Sequence, residues 1–210
     1  MKLITLTASV FVGLSISSHA VIATIGNNNF AVAFTDNAGV PLAAGSGVVA
    51  AGIFSDPSDI ELVNLASDFT GLTDPNNAAD STFSVNAPNG QDGVLSGSID
   101  GGRQAADSAF VGANIFFVIG NGSTLADSTE FAVFDTGFQF AADDTTPAPS
   151  SFAFVPSADT LVIGEVGADV GLFGGAVEAT NFQLATAIPE PSSALLAGLA
   201  LVGGLVRRRR

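Results

Sequence analysis

The chain contains no cysteine, no tryptophan and no tyrosine. Without thiols it has no disulfide framework, no thiolate nucleophile and no cysteine-based metal site, so its fold must be held by a packed core. Histidine occurs once, at His19, and the bases are limited to Lys2, Arg103 and the four arginines 207–210. No Ser-His-Asp triad can be assembled beyond residue 19, no Gly-x-Ser-x-Gly elbow occurs, and the usual zinc ligands are missing. Acidic residues are plentiful: the net charge is −14, and between residues 21 and 187 there are 19 acids against Arg103 alone, a charge of −18. Such a field repels nucleic acid and anionic lipid and favours solubility.

Both ends of the chain are patterned for export. Met1-Lys2 forms a short basic start, followed by an apolar run from Leu3 to Ile16 that is interrupted only by small or hydroxylated residues. The run ends at Ser18-His19-Ala20, which puts Ser18 and Ala20 at the −3 and −1 positions of a signal-peptidase site. Residues 1–20 are thus expected to form a signal peptide removed by signal peptidase, with Val21 as the first mature residue and His19 leaving with the leader. At the other end, Ile188-Pro189-Glu190-Pro191-Ser192-Ser193 precedes a charge-free stretch from Ala194 to Val206, closed by Arg207-Arg208-Arg209-Arg210. Pro189 and Pro191 disfavour a helix start before Ser192, keeping the segment around Glu190 extended. Ser192 or Ser193 can cap a helix that follows. A helix over 192–206 would be about 22 Å long at ~1.5 Å per residue. That is short against a hydrocarbon core of about 30 Å, so it would be a weak membrane anchor, with Arg207–Arg210 holding the end on the cytoplasmic side.

This three-part tail, about 23 of the 210 residues, resembles the PEP-CTERM sorting domain of Gram-negative bacteria. The order of Pro-Glu-Pro, apolar helix and arginine cluster is the same; Ile188 stands where valine is common. The resemblance implies recognition by an exosortase, a membrane-embedded cysteine protease or transpeptidase, with cleavage near Pro189-Glu190-Pro191. It also implies a cell that makes exopolysaccharide, a transient stay in the inner membrane through the C-terminal helix, and a final address at the cell surface or in the extracellular matrix. It says nothing of what the cargo does.

The cargo, residues 21–187, is long enough for one domain with a core. It holds 16 of the 17 phenylalanines. Short apolar runs of strand length recur at 30–35, 47–54, 83–86, 93–99, 110–119, 130–134, 151–155, 160–163 and 176–184, with alternation clearest in Phe30-Ala31-Val32-Ala33-Phe34. Between them lie turn signals at Asn37-Ala38-Gly39, Asn89-Gly90, Asp92-Gly93, Asp100-Gly101 and Gly120-Asn121-Gly122. Ser58-Asp59 is placed to cap one helix through Asp68, with Leu62, Leu65, Ala66 and Phe69 on one face. The stretch 143–150, with Pro147 and Pro149, reads as a surface loop. The expected fold is mostly β: an antiparallel β-sandwich with a short helix.

Few residues suggest chemistry. Gly45-Ser46-Gly47 matches a loose dinucleotide pattern but lacks a βαβ setting and reads as a hairpin shoulder. The oxygen-rich loops at 56–61 and 74–80 are the places where structural calcium is least implausible, although neither fits the EF-hand spacing. Asn121-Gly122-Ser123 satisfies the glycosylation sequon, and a hairpin turn accounts for it equally. No catalytic residue and no required cofactor is expected, and the cargo is read as not an enzyme. Two roles stay open: a structural or adhesive component of the exopolysaccharide matrix, or a lectin-like module that binds glycan. Exposed Phe beside Asn or Asp would favour the second, and buried Phe the first.

Overall fold

The computed structural model describes residues 19–25, 31–63, 65–72, 82–84, 91–95, 97–104, 109–140 and 150–187. The fold is mostly β. Its strands are β1 (His19–Ile25), β2 (Val32–Thr35), β3 (Val48–Phe54), β4 (Phe69–Gly71), β5 (Thr82–Ser84), β6 (Gly97–Gln104), β7 (Asn114–Gly120), β8 (Glu130–Gln139), β9 (Ser150–Phe154), β10 (Leu161–Ile163), β11 (Glu165–Val166), β12 (Val170–Leu172), β13 (Val177–Gln183) and β14 (Ala185–Thr186). A single-turn helix, α1 (Leu65–Asp68), precedes β4.

Three sheets form. The largest runs β10-β8-β7-β3-β4, with β5 also on β3 and β14 also on β8. A second sheet has β1 between β6 and β9, and in the third β13 pairs with β11, β12 and β2. Two ladders are parallel, β1 with β9 and β2 with β13, so the all-antiparallel expectation needs correction there. Both involve strands far apart in the chain, which hairpin turns cannot join; local turn signals therefore could not reveal them. β1 begins at His19, within the segment expected to leave as the signal peptide. Its parallel partner engages only from Val21, opposite Ser150, and its register against β6 shifts between Ala20 and Ile22.

The large sheet is covered on both faces, and this explains its near-continuous apolar strands. β3 is buried throughout and β7 from Ile115 to Gly120. Alternate residues point to opposite sides. Ile115, Phe117 and Ile119 face the main core with Val49, Ala51, Ala132 and Phe134, where they meet Ala23, Ile25, Phe34, Phe154 and Phe182 from the other sheets. Phe116 and Val118 face a smaller cluster with Phe54, Phe131, Val133 and Leu65. Ile60, Leu62, Phe69 and Leu125 pack against that second cluster and close it from solvent.

Phenylalanine provides the largest side chains in the centre. Phe34, Phe134 and Phe182 form a triad with centroid separations of 6.0, 5.9 and 5.2 Å, two of the three contacts edge-on. Such pairs add about 0.5–1.5 kcal/mol each beyond burial.

Two further local readings are corrected. The helix expected from Ser58 to Asp68 shrinks to α1, because the Ser58 amide and hydroxyl both donate to Asp56 Oδ1, at 2.9 and 2.6 Å. Ser58 thereby completes a turn on Asp56, and its hydroxyl is committed as a donor instead of accepting from a helix amide. Leu62, Leu65 and Phe69 nonetheless share one apolar cluster, as the helical spacing anticipated. Asp100-Gly101 is no turn; it lies inside β6, with Asp100 opposite Ile22. By contrast, the turn at Asn37-Ala38-Gly39 is present, with Gly39 at φ 80° and Asp36 Oδ1 accepting from the Ala38 and Val40 amides.

Candidate functional site

The last strands bring the chain's functional end to the edge of the large sheet. β13 is locked first: Thr35 Oγ1 donates to Asn181 Oδ1 at 2.9 Å with both side chains buried. Leu184, fully buried, donates its amide to the Thr35 carbonyl at 3.0 Å. The chain then crosses to β8, where Ala185 stands opposite Phe131 and Thr186 opposite Glu130. Ala187 ends the described chain by donating its amide to the Thr129 carbonyl at 2.8 Å. Ala185 and Ala187 rest, partly buried, on the second apolar cluster.

Thr129 belongs to the β7–β8 connection, which is braced by its own side chains. Asn121 Oδ1 accepts from the Thr129 and Glu130 amides at 2.9 and 3.2 Å, and Asn121 Nδ2 donates to Thr129 Oγ1 at 3.2 Å. Ser128 Oγ accepts from the Gly122 amide and donates to the Thr124 carbonyl. The Asn of the sequon is thus a structural brace whose amide already has partners within the turn. On the other side of Glu130, its Oε2 accepts from the Asn37 amide at 3.0 Å.

The other candidate chemistry is structural where it can be seen. Among the described residues no group of three or more His, Cys, Asp or Glu side chains is arranged to hold a metal ion. Asp56 is held below the usual carboxylate range by the Ser58 hydroxyl and then by the Ser58 amide, which satisfies this carboxylate within its own turn. The second oxygen-rich loop, 74–80, lies outside the described residues, as does Asn89-Gly90. Gly45 and Gly47 both have positive φ, and Ser46 Oγ donates to the Ala43 carbonyl, so this Gly-Ser-Gly forms the turn into β3.

Ala20 lies in β1 opposite Arg103. Ser18, Pro189, Glu190, Pro191 and Arg207–Arg210 lie outside the described residues. Among the described residues no helix is long and apolar enough to cross a membrane. Residues 187–210 match the model of the PEP-CTERM protein-sorting motif. The tail is therefore a PEP-CTERM sorting signal, as its residue order suggested. Neither a curated protein nor a solved structure matches the chain.

The match begins at Ala187, the residue bonded to Thr129. Sequence reasoning did not anticipate a strand in Ala185-Thr186. Its only signal is the single threonine, since small residues have little intrinsic preference for a sheet.

Proposed function

We propose that this chain is an exported cargo, delivered by its leader and sorting tail to the surface or extracellular matrix of a Gram-negative cell. There it acts as a non-catalytic structural or adhesive component of the exopolysaccharide matrix. The observation that carries the reading is the sorting motif over residues 187–210. In this reading signal peptidase cuts after Ala20. Residues 192–206 then hold the protein in the inner membrane with Arg207–Arg210 inside, and an exosortase processes the tail near Pro189-Glu190-Pro191.

The disposition of phenylalanine favours a structural cargo over a glycan-binding one. Among the residues whose burial is described, Phe34, Phe54, Phe110, Phe116, Phe117, Phe131, Phe134, Phe140, Phe154 and Phe182 are buried, Phe69 is half-buried, and Phe138 and Phe173 are exposed. Rings committed to the interior are unavailable as sugar platforms. Sheets packed about one Phe-rich core also support a sandwich.

The test is the intact mass of the protein recovered from the surface of its own host. The expected form lacks residues 1–20 and the apolar tail. Replacing Pro189, Glu190 and Pro191 by alanine leaves the tail attached in the inner membrane, and deleting Arg207–Arg210 weakens retention there before processing. A surface form still ending at Arg210 would refute the reading.

A further inference from the structure

The sorting motif and the folded domain share a residue. Ala187 is the first residue of the matched tail and also a hydrogen-bond donor to Thr129, immediately before β8. No spacer separates the sheet from the segment a processing enzyme must take.

The attachment is slight and its boundary is sharp. β14 pairs through Ala185 and Thr186 only, and Ala187 adds its bond to Thr129. Leu184, immediately upstream, is fully buried and tied to Thr35, and Asn181 and Phe182 are buried behind it. β14 shares its edge of β8 with β10, which pairs with other residues of that strand, Leu161 opposite Phe134 and Ile163 opposite Val133. Residues 185–187 can therefore leave the sheet as a unit, with Leu184 as the stop. Their side chains are small, so departure uncovers little apolar surface.

An enzyme that takes an extended segment commonly adds it as a strand to its own sheet edge, through the segment's main-chain groups. Each backbone N–H serves one strong partner at a time. The amides that bind β8 are thus withheld from such an enzyme until they are released. Resting on the proposed processing of the tail, we infer that Ala185–Ala187 serve two partners in turn: first β8, and then the sorting enzyme, which binds them as the upstream part of its substrate. The recognised segment extends into the fold, and its release from β8 precedes processing.

The absence of cysteine makes the test direct. The Ala187–Thr129 bond marks a hydrogen-bonded pair, so Thr186 and Glu130 form the adjacent non-hydrogen-bonded pair, with the closer spacing that suits a disulfide. The full-length double variant Thr186→Cys/Glu130→Cys is followed by pulse-chase in the native host, counting only chains that mass analysis shows to be bridged. Relative to the same double variant kept reduced, bridged chains are expected to be processed at least about tenfold more slowly, in line with the smaller released fraction, and to recover on adding reductant. Leu125→Ala leaves the segment itself unchanged but removes apolar surface from the cluster on which Ala185 and Ala187 rest. It is expected to speed processing by about twofold. Bridged chains processed at the wild-type rate, or a slower Leu125→Ala variant, would overturn the inference. Wild-type chains that are never processed would instead overturn the reading of the tail, and the inference would fall with it.

Discussion

The Thr35 hydroxyl donates to Asn181 Oδ1 at 2.9 Å across 146 residues of chain, a buried bond where β2 runs parallel to β13. It joins the first part of the cargo to the last. Thr35→Val leaves the Asn181 oxygen buried without this donor, at an expected cost of about 1–3 kcal/mol. The double variant Thr35→Val/Asn181→Leu is expected to cost less than the sum of the two single changes. Urea unfolding of all four proteins measures the coupling.

Gly52 marks the closest approach between β3 and its edge strand. A Cβ there would lie 2.2 Å from the Thr70 carbonyl oxygen and 2.7 Å from the Phe69 ring. Gly52→Ala forces β4 away from β3 and is expected to destabilise by about 1–3 kcal/mol. Gly39→Ala meets no neighbour within 4 Å and bears only the strain of φ 80°, expected at about 1–2 kcal/mol. Hydrogen exchange separates the two: loss of protection at Leu72, whose amide donates to the Ala51 carbonyl, belongs to Gly52→Ala alone.

The value of a phenylalanine is set by its position. Phe134 is fully buried against Phe34, Phe154 and Phe182. Phe134→Ala is expected to cost about 3–5 kcal/mol, which is enough to unfold a domain of ordinary stability at 37 °C. Phe138, 45 % exposed on the same strand, is expected to cost well under half as much. Thermal melts of the two variants decide the comparison.

Asp56 supplies a pH dependence with a definite sign. The Ser58 hydroxyl and amide favour its charged form and lower its pKa. The stabilising contribution is therefore present above the ordinary carboxylate pKa and is lost as the pH falls through the lowered one. Ser58→Ala is expected to move the Asp56 titration upward without fully restoring it, because the Ser58 amide remains. A carboxyl-carbon NMR titration reads this directly, and an unmoved midpoint would contradict it.

Strands with long apolar runs were legible in the sequence. Residues 47–54 and 151–155 predict β3 and β9 to within a residue at either end. The start of β7 at Asn114 was obscured, since the run from Phe110 to Ala113 is equally apolar but contributes core from a turn. The weak strands β4, β11, β12 and β14 have two or three residues each, too few to display a period. β6 was misread for a different reason: Val94 and Leu95 are buried outside any strand, and the strand itself contains Asp100-Gly101-Gly102, which resembles a turn. The sorting motif was legible because it is contiguous and ordered along the chain. Its attachment through Ala187 was not, because the partner, Thr129, is recruited from a loop 58 residues earlier.

The placement of β1 and β2 has a kinetic consequence. β1 lies between β6 and β9, and β2 pairs with β13, so neither early strand meets all its partners until residues 150–154 and 180–183 are available. Contacts this distant in sequence close slowly, typically over milliseconds to seconds for all-β domains. A chain emerging N-terminus first cannot complete either of these smaller sheets on the way, although the ladders joining β3, β4, β7 and β8 lie wholly within residues 48–139. The last residues of the domain to emerge are therefore the ones that close its two smaller sheets.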